Sequence, residues 1–267
     1  MITKHILSPV LRTGRCLSIC QQYNFVSTAE RILYSAKFVT KKRPNIEFEI
    51  RPITSEIIPE VAREGARILT DSEPIATSIH FNLEEAFKFL TFLAFSNVQK
   101  NLGICMYNKT DNELAAALLN EDFYSPITNP QEIIKAYDET DQEGKKKLEK
   151  IVDMYKTFGK QVPAYYKVPD APLQVIHLIA GITIPKYKNL GLMTRLVKFM
   201  VNEHPLIRRA RLIVTEATFP GSKIAFEKNG FKNVLKSTIR NSSCRVERGF
   251  FLSWIKSLSK EELGQFK

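Results

Sequence analysis

The first regular pattern along the chain is an alternation of apolar and charged residues. It covers residues 46–53 and predicts a half-exposed strand that Pro52 brings to an end. Thr54 and Ser55 then stand where helix N-caps are expected, and apolar residues at helical spacing continue to about residue 69. The polar, turn-forming residues 70–75 lead into a second short helix. A strand followed by two helices is therefore expected here.

A capping box marks the next element. Asn82-Leu83-Glu84-Glu85 has the asparagine and glutamate spacing that satisfies two backbone N–H groups at a helix start, which predicts a helix to about residue 98. Residues 103–109 and 113–120 are strand-like and are joined by Thr110-Asp111-Asn112. Two strands joined by so short a turn predict a β-hairpin.

Residues 129–160 predict a helical insert after this hairpin. Asn129-Pro130-Gln131-Glu132 combines an N-cap, a proline in the first turn and an acid, so it starts a first helix. Gly144-Lys145-Lys146-Lys147 separates that helix from a second one, which runs to about Phe158. The three lysines are typical of a solvated helix face, with contact to a membrane or a nucleic acid as the alternative.

A near-continuous apolar segment lies at residues 174–185 and is followed by a helical pattern. Its β-branched residues run almost without interruption to Pro185, which predicts a strand buried on both faces. From Leu190 onward, apolar residues recur at helical spacing up to Asn202. The turn between strand and helix, Lys188–Met193, carries a cation and a glycine at a helix N-terminus. Unpaired N–H groups and the helix dipole favour phosphate at such a place.

A second strand–turn–helix block covers residues 210–231. Its strand, residues 210–214, leads into TEATFPGSKIAFEKNGF, whose helix ends at Asn229-Gly230 with a glycine in the C′ position. Two more strand-like segments, residues 234–240 and 248–254, complete the pattern. The alternation of strands and helices predicts an α/β fold, with the helical insert of residues 129–160 before the strand of residues 174–185.

Both blocks resemble the cofactor-binding motifs of the GCN5-related N-acetyltransferases. The signature of that family is Gln/Arg-x-x-Gly-x-Gly/Ala after a strand and a P-x-Y-like turn, and Pro185, Tyr187 and Gly191 fall in register with it. The second block ends in residues 227–231, EKNGF, which match the E-K-x-G-F ending of the family. The resemblance covers about residues 46–256 and implies the acetyltransferase fold, in which the central mixed sheet is splayed.

Two positions depart from the signature. Lys188 replaces Gln/Arg and keeps a positive charge without a bidentate fork, and Met193 replaces the final Gly/Ala. The resemblance implies acetyl-CoA as co-substrate, with its diphosphate at the turn and its thioester carbonyl at the end of the central strand. The residues so implicated are Lys188, Asn189, Leu190, Gly191, Leu192, Met193 and Thr194 for the diphosphate, and Gly181, Ile182 and Thr183 for the carbonyl.

Asp71-Ser72-Glu73-Pro74-Ile75 is similar to the D/E-E-P-L motif of the insect-type arylalkylamine N-acetyltransferases. This resemblance makes Glu73 the expected general base, because an amine must lose a proton before it can attack a thioester. It also places Thr218 and Ser222 where two hydroxyl groups assist proton transfer in that branch. His177, matched to a histidine of the vertebrate serotonin acetyltransferases, is the rival base. Each residue also has a purely structural alternative. Glu73 would then be an ordinary surface acid, Thr218 and Ser222 a helix-entry motif, and His177 a hydrogen-bonded core histidine.

The resemblance implies an acetyl-CoA-dependent N-acetyltransferase that acts on the amine of a small arylalkylamine by direct transfer. One alternative is a sister acyltransferase for polyamines or protein N-termini. Another is a degenerate relative that binds CoA weakly or not at all, which Lys188, Met193 and Phe219 favour. No metal, nucleic-acid or membrane partner is expected, and the amine, the acyl length and the oligomeric state stay open.

The 267 residues carry a formal net charge of +11, and most of the excess lies at the N-terminus. Residues 1–44 contain eight Lys/Arg and one acid, and residues 1–29 contain no acid at all. A basic, Ser-rich and acid-poor segment is typical of a mitochondrial transit peptide, with a disordered basic extension as the alternative. We therefore expect an extension over residues 1–44, an acetyltransferase domain over 45–258 and a charged tail over 259–267. The protein would be mitochondrial if residues 1–44 act as a targeting sequence, and cytoplasmic otherwise.

The four cysteines are few and scattered, which is typical of reduced intracellular thiols. Cys16 and Cys20 have a CxxxC spacing, but no second pair or histidine cluster completes a zinc site in the sequence. The sequence contains no run of 18 apolar residues, so no membrane span is predicted.

Overall fold

The computed structural model describes residues 36–123, 141–151, 153, 171–238 and 250–257. Within these ranges eight strands pair in one mixed sheet, in the order β1-β2-β3-β4-β5-β6-β8-β7. The strands are β1 (Ala36–Thr40), β2 (Arg43–Pro52), β3 (Ile104–Asn108), β4 (Glu113–Asp122), β5 (Val175–Thr183), β6 (Leu212–Ala217), β7 (Lys232–Thr238) and β8 (Phe250–Ser257). The helices are α1 (Ile58–Ser72), α2 (Pro74–Ser78), α3 (Leu83–Lys100), α4 (residues 142–151), α5 (Leu192–Asn202) and α6 (Pro220–Lys228). None of these described helices is long and apolar enough to cross a membrane.

The sheet opens between β5 and β6. These two are the one parallel pair among the described strands, and Val175–Leu178 pairs with Leu212–Thr215. Beyond that point β5 continues to Thr183 and β6 to Ala217, and the two strands no longer pair with each other. One edge of the last part of β5 is therefore open, which confirms the mixed and splayed sheet that the sequence predicts.

Helices cover both faces of the sheet. On one face, Leu196 and Met200 of α5 share a core cluster with Leu178 of β5. On the other face, the buried residues of α1 and α3 share a second cluster with Ile182 of β5. A Cβ on Gly65 of α1 would lie only 2.7 Å from the Ile182 Cδ1 atom, so the glycine lets α1 pack directly on β5. Packing against these helices thus fixes the position of the open part of β5.

The fold begins before the predicted domain boundary at residue 45. β1 pairs with β2, and Lys41 and Lys42 form the turn between them. The end of the predicted extension, where residues 41–44 suggest a polar linker into the fold, is therefore the turn of a hairpin and the start of its second strand. Exposed lysines suit a linker and a hairpin turn equally well, so the sequence pattern could not separate the two. The predicted leader up to residue 35 and the charged tail from residue 259 lie outside the described residues.

The helix starts agree with the sequence in one case and differ in another. Asn82 and Glu85 form the predicted capping box at the start of α3, with hydrogen bonds of 2.9 and 2.8 Å. Thr54 and Ser55, in contrast, cap no helix with their side chains. A short 3₁₀ turn at Ser55–Ile57 precedes α1, so the chain enters the helix three residues later than the side chains indicated.

The break predicted at Gly144 does not occur there. α4 begins at residue 142, and the Asp141 carboxylate accepts the Gly144 N–H at 2.9 Å. Gly144 therefore lies in the first helical turn, which the aspartate caps. Lys147 is not part of a solvated face either, because it forms an ion pair with the buried Glu85 at 3.1 Å. The predicted first helix of the insert, from Asn129, lies outside the described residues.

Candidate active site

A β-bulge marks the place where β5 leaves β6. The register between β4 and β5 shifts by one residue, which leaves Ile179 as the extra residue between Leu178 and Ala180. The Thr215 hydroxyl donates to the Leu178 carbonyl at 2.9 Å, at the last pair before the strands separate. Beyond the bulge, β5 pairs on its β4 side alone among the described strands.

Backbone N–H groups of β5 point into this opening. The Ile184 N–H donates to the Ala115 carbonyl at 3.0 Å, so residue 184 faces β4. Because successive residues of a strand direct their N–H groups to opposite edges, Gly181 and Thr183 face the open edge and Ile182 faces β4. Gly181 and Thr183 are thus placed to bind a carbonyl oxygen through the backbone. Ile182, the third residue predicted for this task, instead packs its side chain in the core.

The turn after β5 presents N–H groups without helical partners. Asn189 and Gly191 both have left-handed backbone conformations, with φ values of 64° and 78°. No side chain caps α5, and its first turn is closed by the Arg195 N–H, which donates to the Gly191 carbonyl at 3.1 Å. The N–H groups of residues 192–194 are therefore left without intrahelical acceptors. Such donors at a helix N-terminus suit a diphosphate.

Two buried side chains hold this turn and helix in place. Tyr187, which is 1% exposed, donates from its hydroxyl to Glu113 at 2.9 Å and accepts from Asn108 Nδ2 at 3.0 Å. Asn229, at the end of α6, donates from its amide to the Thr194 carbonyl at 3.1 Å. The P-x-Y turn and the second sequence block thus both fix the position of α5.

The side chains predicted at the diphosphate site differ in their exposure. Lys188 is exposed beside the turn, where its charge can attract an anion. Leu192 is buried and anchors the start of α5 in the core. Met193 is half-buried, and its thioether lies against Gly181 of β5. Backbone groups rather than side chains therefore supply most of the donors at this turn.

Gly191→Asp is expected to weaken acetyl-CoA binding by at least about 100-fold, because like charges would meet at the diphosphate. A Cβ at Gly191 would meet no atom within 4 Å, so the new side chain has space and the fold should survive. Gly191→Asn is the matched control, since it imposes the same backbone strain without the charge. Isothermal titration calorimetry measures both variants, and equal affinities would contradict the placement of the diphosphate at this turn.

The Glu73 carboxylate lies at the junction of α1 and α2. One oxygen, Oε2, caps α2 by accepting the Ala76 N–H at 2.7 Å. The other, Oε1, is shielded from solvent and makes no hydrogen bond to any described residue. Burial raises the pKa of Glu73. This effect outweighs that of three hydrogen-bond donors that lower the pKa, which are the Ala76 N–H, the Thr218 hydroxyl and the Ile75 N–H. A buried carboxylate with one oxygen to spare is suited to accept a proton.

Thr218 lies next to this carboxylate, close enough for its hydroxyl to influence the pKa of Glu73. β6 ends at Ala217, so Glu73 and Thr218 meet at the end of β6, beside the opening from β5. Ser222 lies half-buried in the first turn of α6, and no hydrogen bond between these described residues joins its side chain to Glu73. The structure therefore brings Glu73 and Thr218 together, and the role predicted for Ser222 stays a prediction.

His177 forms a buried network with two glutamates. Its Nδ1 lies 2.6 Å from Glu121 Oε1, its Nε2 lies 2.6 Å from Glu216 Oε2, and all three side chains are at most 4% exposed. Burial would lower the pKa of His177, but the charges and hydrogen bonds of Glu216 and Glu121 raise it to about 10. The ring is then protonated at neutral pH and donates both N–H groups, so it has no lone pair for an incoming proton. This geometry argues against His177 as the base.

Glu121 and Glu216 are buried partners of His177 that the sequence pattern did not reveal. They lie on β4 and β6, in strands whose other residues are largely buried. A charged residue inside such a strand calls for a partner, and His177 lies on the strand between them. That signal becomes readable only when the strand order β4-β5-β6 is known.

Comparison with known proteins finds matches in structure and none in sequence. No protein-family model and no curated protein matches the chain. Among solved structures, a putative arylalkylamine N-acetyltransferase 7 from the yellow fever mosquito Aedes aegypti is 13% identical, with a TM-score of 0.64 over 88% of this chain and 98% of that chain. The C-terminal condensation domain of Ebony, in complex with beta-alanyl-dopamine, is 15% identical, with a TM-score of 0.62 over 80% of this chain and 100% of that chain.

A third match is the polyamine N-acetyltransferase of Drosophila melanogaster. It is 14% identical, with a TM-score of 0.54 over 79% of this chain and 100% of that chain. Matches at such identities establish a shared fold, and the site must be argued from its own residues. The chain has the fold of the GCN5-related N-acetyltransferases.

Proposed function

We propose that this chain is an acetyl-CoA-dependent N-acetyltransferase that transfers the acetyl group directly to the amine of a small arylalkylamine. The observation that carries the proposal is the meeting of Glu73 and Thr218 at the end of β6, beside the open edge of β5. A proton acceptor and a row of backbone donors thus lie at the same opening in the sheet. The fold supports this function, because its solved neighbours include arylalkylamine and polyamine acetyltransferases.

The residues around the opening fit acetyl-CoA at two points. When bound, acetyl-CoA supplies an acetyl group that is activated as a thioester. The N–H groups of residues 192–194 and the open space around Gly191 suit its diphosphate. The N–H groups of Gly181 and Thr183 can donate to the carbonyl oxygen, where negative charge grows during the transfer. This arrangement needs no particular side chain on β5.

Glu73 takes the proton that the amine must lose. A protonated amine has no lone pair, so it cannot attack a carbonyl carbon until a base removes its proton. Glu73 accepts the proton that the ammonium group loses before the attack. As the C–N bond then forms and the C–S bond breaks, the nitrogen loses a second proton to solvent, which balances the proton that the departing thiolate takes up. Thr218, beside the carboxylate, can hydrogen-bond the amine and keep it in line with Glu73.

The leaving thiol needs no acid from this chain. Phe226 stands where many relatives have a tyrosine, and this buried phenylalanine has no proton to donate. A thiol has a pKa of about 8.5, so it can leave as a thiolate and take its proton from solvent. The mechanism therefore rests on one base, with no tyrosine acid.

A degenerate, weakly binding relative is the second candidate. One observation favours it: the Met193 thioether lies against Gly181, a residue proposed to bind the thioester carbonyl. Lys188 also favours the weakly binding relative, because a lysine cannot hold a diphosphate with the bidentate fork of an arginine. Binding and turnover measurements separate this candidate from an active enzyme.

The proposal is tested by incubating the purified chain with acetyl-CoA and one amine from each of three classes. These are an arylalkylamine such as 2-phenylethylamine, a polyamine such as spermidine, and a short peptide with a free N-terminus. We expect thiol release that depends on the arylalkylamine, together with its acetylated product in the mass spectrum. Acetylation of the polyamine or the peptide alone would overturn the substrate class. Binding of acetyl-CoA without any acetylated product would favour the degenerate relative.

A further inference from the structure

A buried ion pair lies at the point where β5 and β6 separate. The last backbone pair of the two strands joins Leu178 to Thr215, and Glu216 is the next residue of β6. Its Oε2 atom lies 2.6 Å from Nε2 of His177, and both side chains are at most 4% exposed. The first residue beyond the paired part of β6 thus reaches back to β5 with its carboxylate.

Glu216 lies on the same face of the sheet as the proposed base. Ile213 and Ala217 of β6 pack in the core cluster that contains α5, so Glu216 points to the opposite face. That face is covered by α1 and α3, and Glu73 lies at the junction of α1 and α2. Thr218, which lies next to Glu73, comes two residues after Glu216 and is therefore about 7 Å further along the chain. The ion pair and the base are thus neighbours at the end of β6.

The ion pair links the two sides of the opening. On β5, the backbone donors of Gly181 and Thr183 lie a few residues beyond His177. On β6, Thr218 lies two residues beyond Glu216. Charged groups buried at hydrogen-bond distance hold a fixed geometry, because separating them would leave charges in a medium of low dielectric constant. The pair is therefore placed to set the distance between the donors and the base.

We propose that the ion pair of His177 and Glu216 is a clamp that fixes the width of the opening, and that Glu216 is a positioning residue for the acetyl transfer. This inference rests on the proposed function. Glu216 acts through the end of β6, which carries Thr218 and contacts the base, and it touches neither the amine nor the cofactor. A displacement of about 1 Å can lower a rate on the order of 100-fold, so a clamp at this place affects kcat strongly.

Glu121 provides an internal comparison. It lies 2.6 Å from the other ring nitrogen of the same histidine, and its side chain is equally buried. β4, however, stays paired with β5 along the open part of that strand, as far as the pair of Ala116 and Thr183. The described pairing of β6 with β5 ends at Thr215. Backbone hydrogen bonds therefore hold β4 in place without the charge of Glu121, whereas the end of β6 depends on Glu216 for its link to β5.

The test compares Glu216→Gln with Glu121→Gln in kcat, in affinity for acetyl-CoA and in melting temperature. Each variant leaves the histidine paired with one carboxylate, so the two melting temperatures should change by a similar amount. Glu216→Gln is expected to lower kcat on the order of 10–100-fold with the affinity for acetyl-CoA unchanged, because β6 loses its charged link to β5. Glu121→Gln should keep the wild-type kcat.

Two further variants separate a positioning role from a general loss of structure. Glu216→Asp keeps the charge but is one methylene shorter, so it should fold and still lower kcat, because the ion pair can form only if the end of β6 moves. In a Glu73→Gln background, Glu216→Gln should lower kcat little further, since no base is left to position. Circular dichroism establishes that each variant is folded.

The two carboxylates make the outcomes distinct. Equal losses of kcat in Glu216→Gln and Glu121→Gln would overturn the inference, because the network would then act only through the stability of the fold. A wild-type kcat in either Glu216 variant, a loss of acetyl-CoA affinity in place of kcat, or additive losses in the double variant would also overturn it. In all these cases the proposed function stands. If the wild type transfers no acetyl group to any of the three amines, the proposed function fails and the inference fails with it.

Discussion

Glu73→Gln is expected to lower kcat by about 10²–10⁴-fold, or roughly 3–5 kcal/mol of barrier. Glutamine keeps the size of the side chain and can still accept the Ala76 N–H, but it cannot accept the amine proton. The loss should appear in kcat and kcat/KM together, with acetyl-CoA affinity nearly unchanged, because the lost interaction exists only in the transition state. Steady-state kinetics with the preferred amine and titration with acetyl-CoA measure the two quantities.

The pH profile and a control variant separate this loss from a structural effect. Burial raises the pKa of Glu73, so wild-type kcat/KM should rise with pH through a pKa above that of an ordinary glutamate. The variant should lack that rise and should melt no lower than the wild type, since an ionised buried carboxylate is costly. Glu64→Gln is the matched control, because Glu64 lies on α1 and pairs with Arg67 at the surface. A Glu73→Gln protein with wild-type kcat would remove Glu73 from the mechanism.

His177→Gln is expected to destabilise the fold by about 3–5 kcal/mol, because Glu121 and Glu216 would stay buried without a counter-charge. The same residue should give the wild type an alkaline pH dependence. The pKa of His177 is about 10 in the fold and its ordinary value is 6.5. The stabilisation is therefore complete below about pH 6.5 and is lost as the pH rises towards 10. The melting temperature of the wild type should therefore fall between about pH 6.5 and 10, and the variant should not show this fall.

His204→Gln is the matched control for this effect. His204 is also buried, but burial lowers its pKa to about 4, so the histidine is neutral in the fold. Its contribution to stability is present above pH 6.5 and is lost as the pH falls towards 4, the opposite side of neutrality. Removing it should leave the alkaline fall in melting temperature intact. A His177→Gln protein that melts like the wild type but has lost kcat would instead restore His177 as the base.

Signals carried by neighbouring residues were readable from the sequence. The capping box of α3, the strand that becomes β5 and the glycine at the α5 turn all depend on residues within a few positions of one another. Glu73 was found through its local Asp-Ser-Glu-Pro context, and the structure places it beside Thr218. The splayed sheet itself follows only from the family resemblance that these local motifs carry.

Contacts between distant segments could not be predicted in this way. The partners of His177 lie 56 and 39 residues away, and only the strand order brings them together. The direction of the Met193 side chain also depends on how α5 packs on β5. Hairpin β1–β2 was missed because Lys41 and Lys42 are equally compatible with a linker. In each case the deciding information is the packing of elements that are separate in sequence.

A structure of the chain with acetyl-CoA bound is the most direct test of the central claim, that Glu73 and the open edge of β5 form one acetyl-transfer site. We expect the diphosphate against the N–H groups of residues 192–194 and the thioester carbonyl within hydrogen-bond reach of Gly181 or Thr183. The Glu73 carboxylate should then face the acetyl carbon across a space that fits one amine. A cofactor bound elsewhere, or a Glu73 carboxylate separated from the acetyl group by the sheet, would contradict the claim.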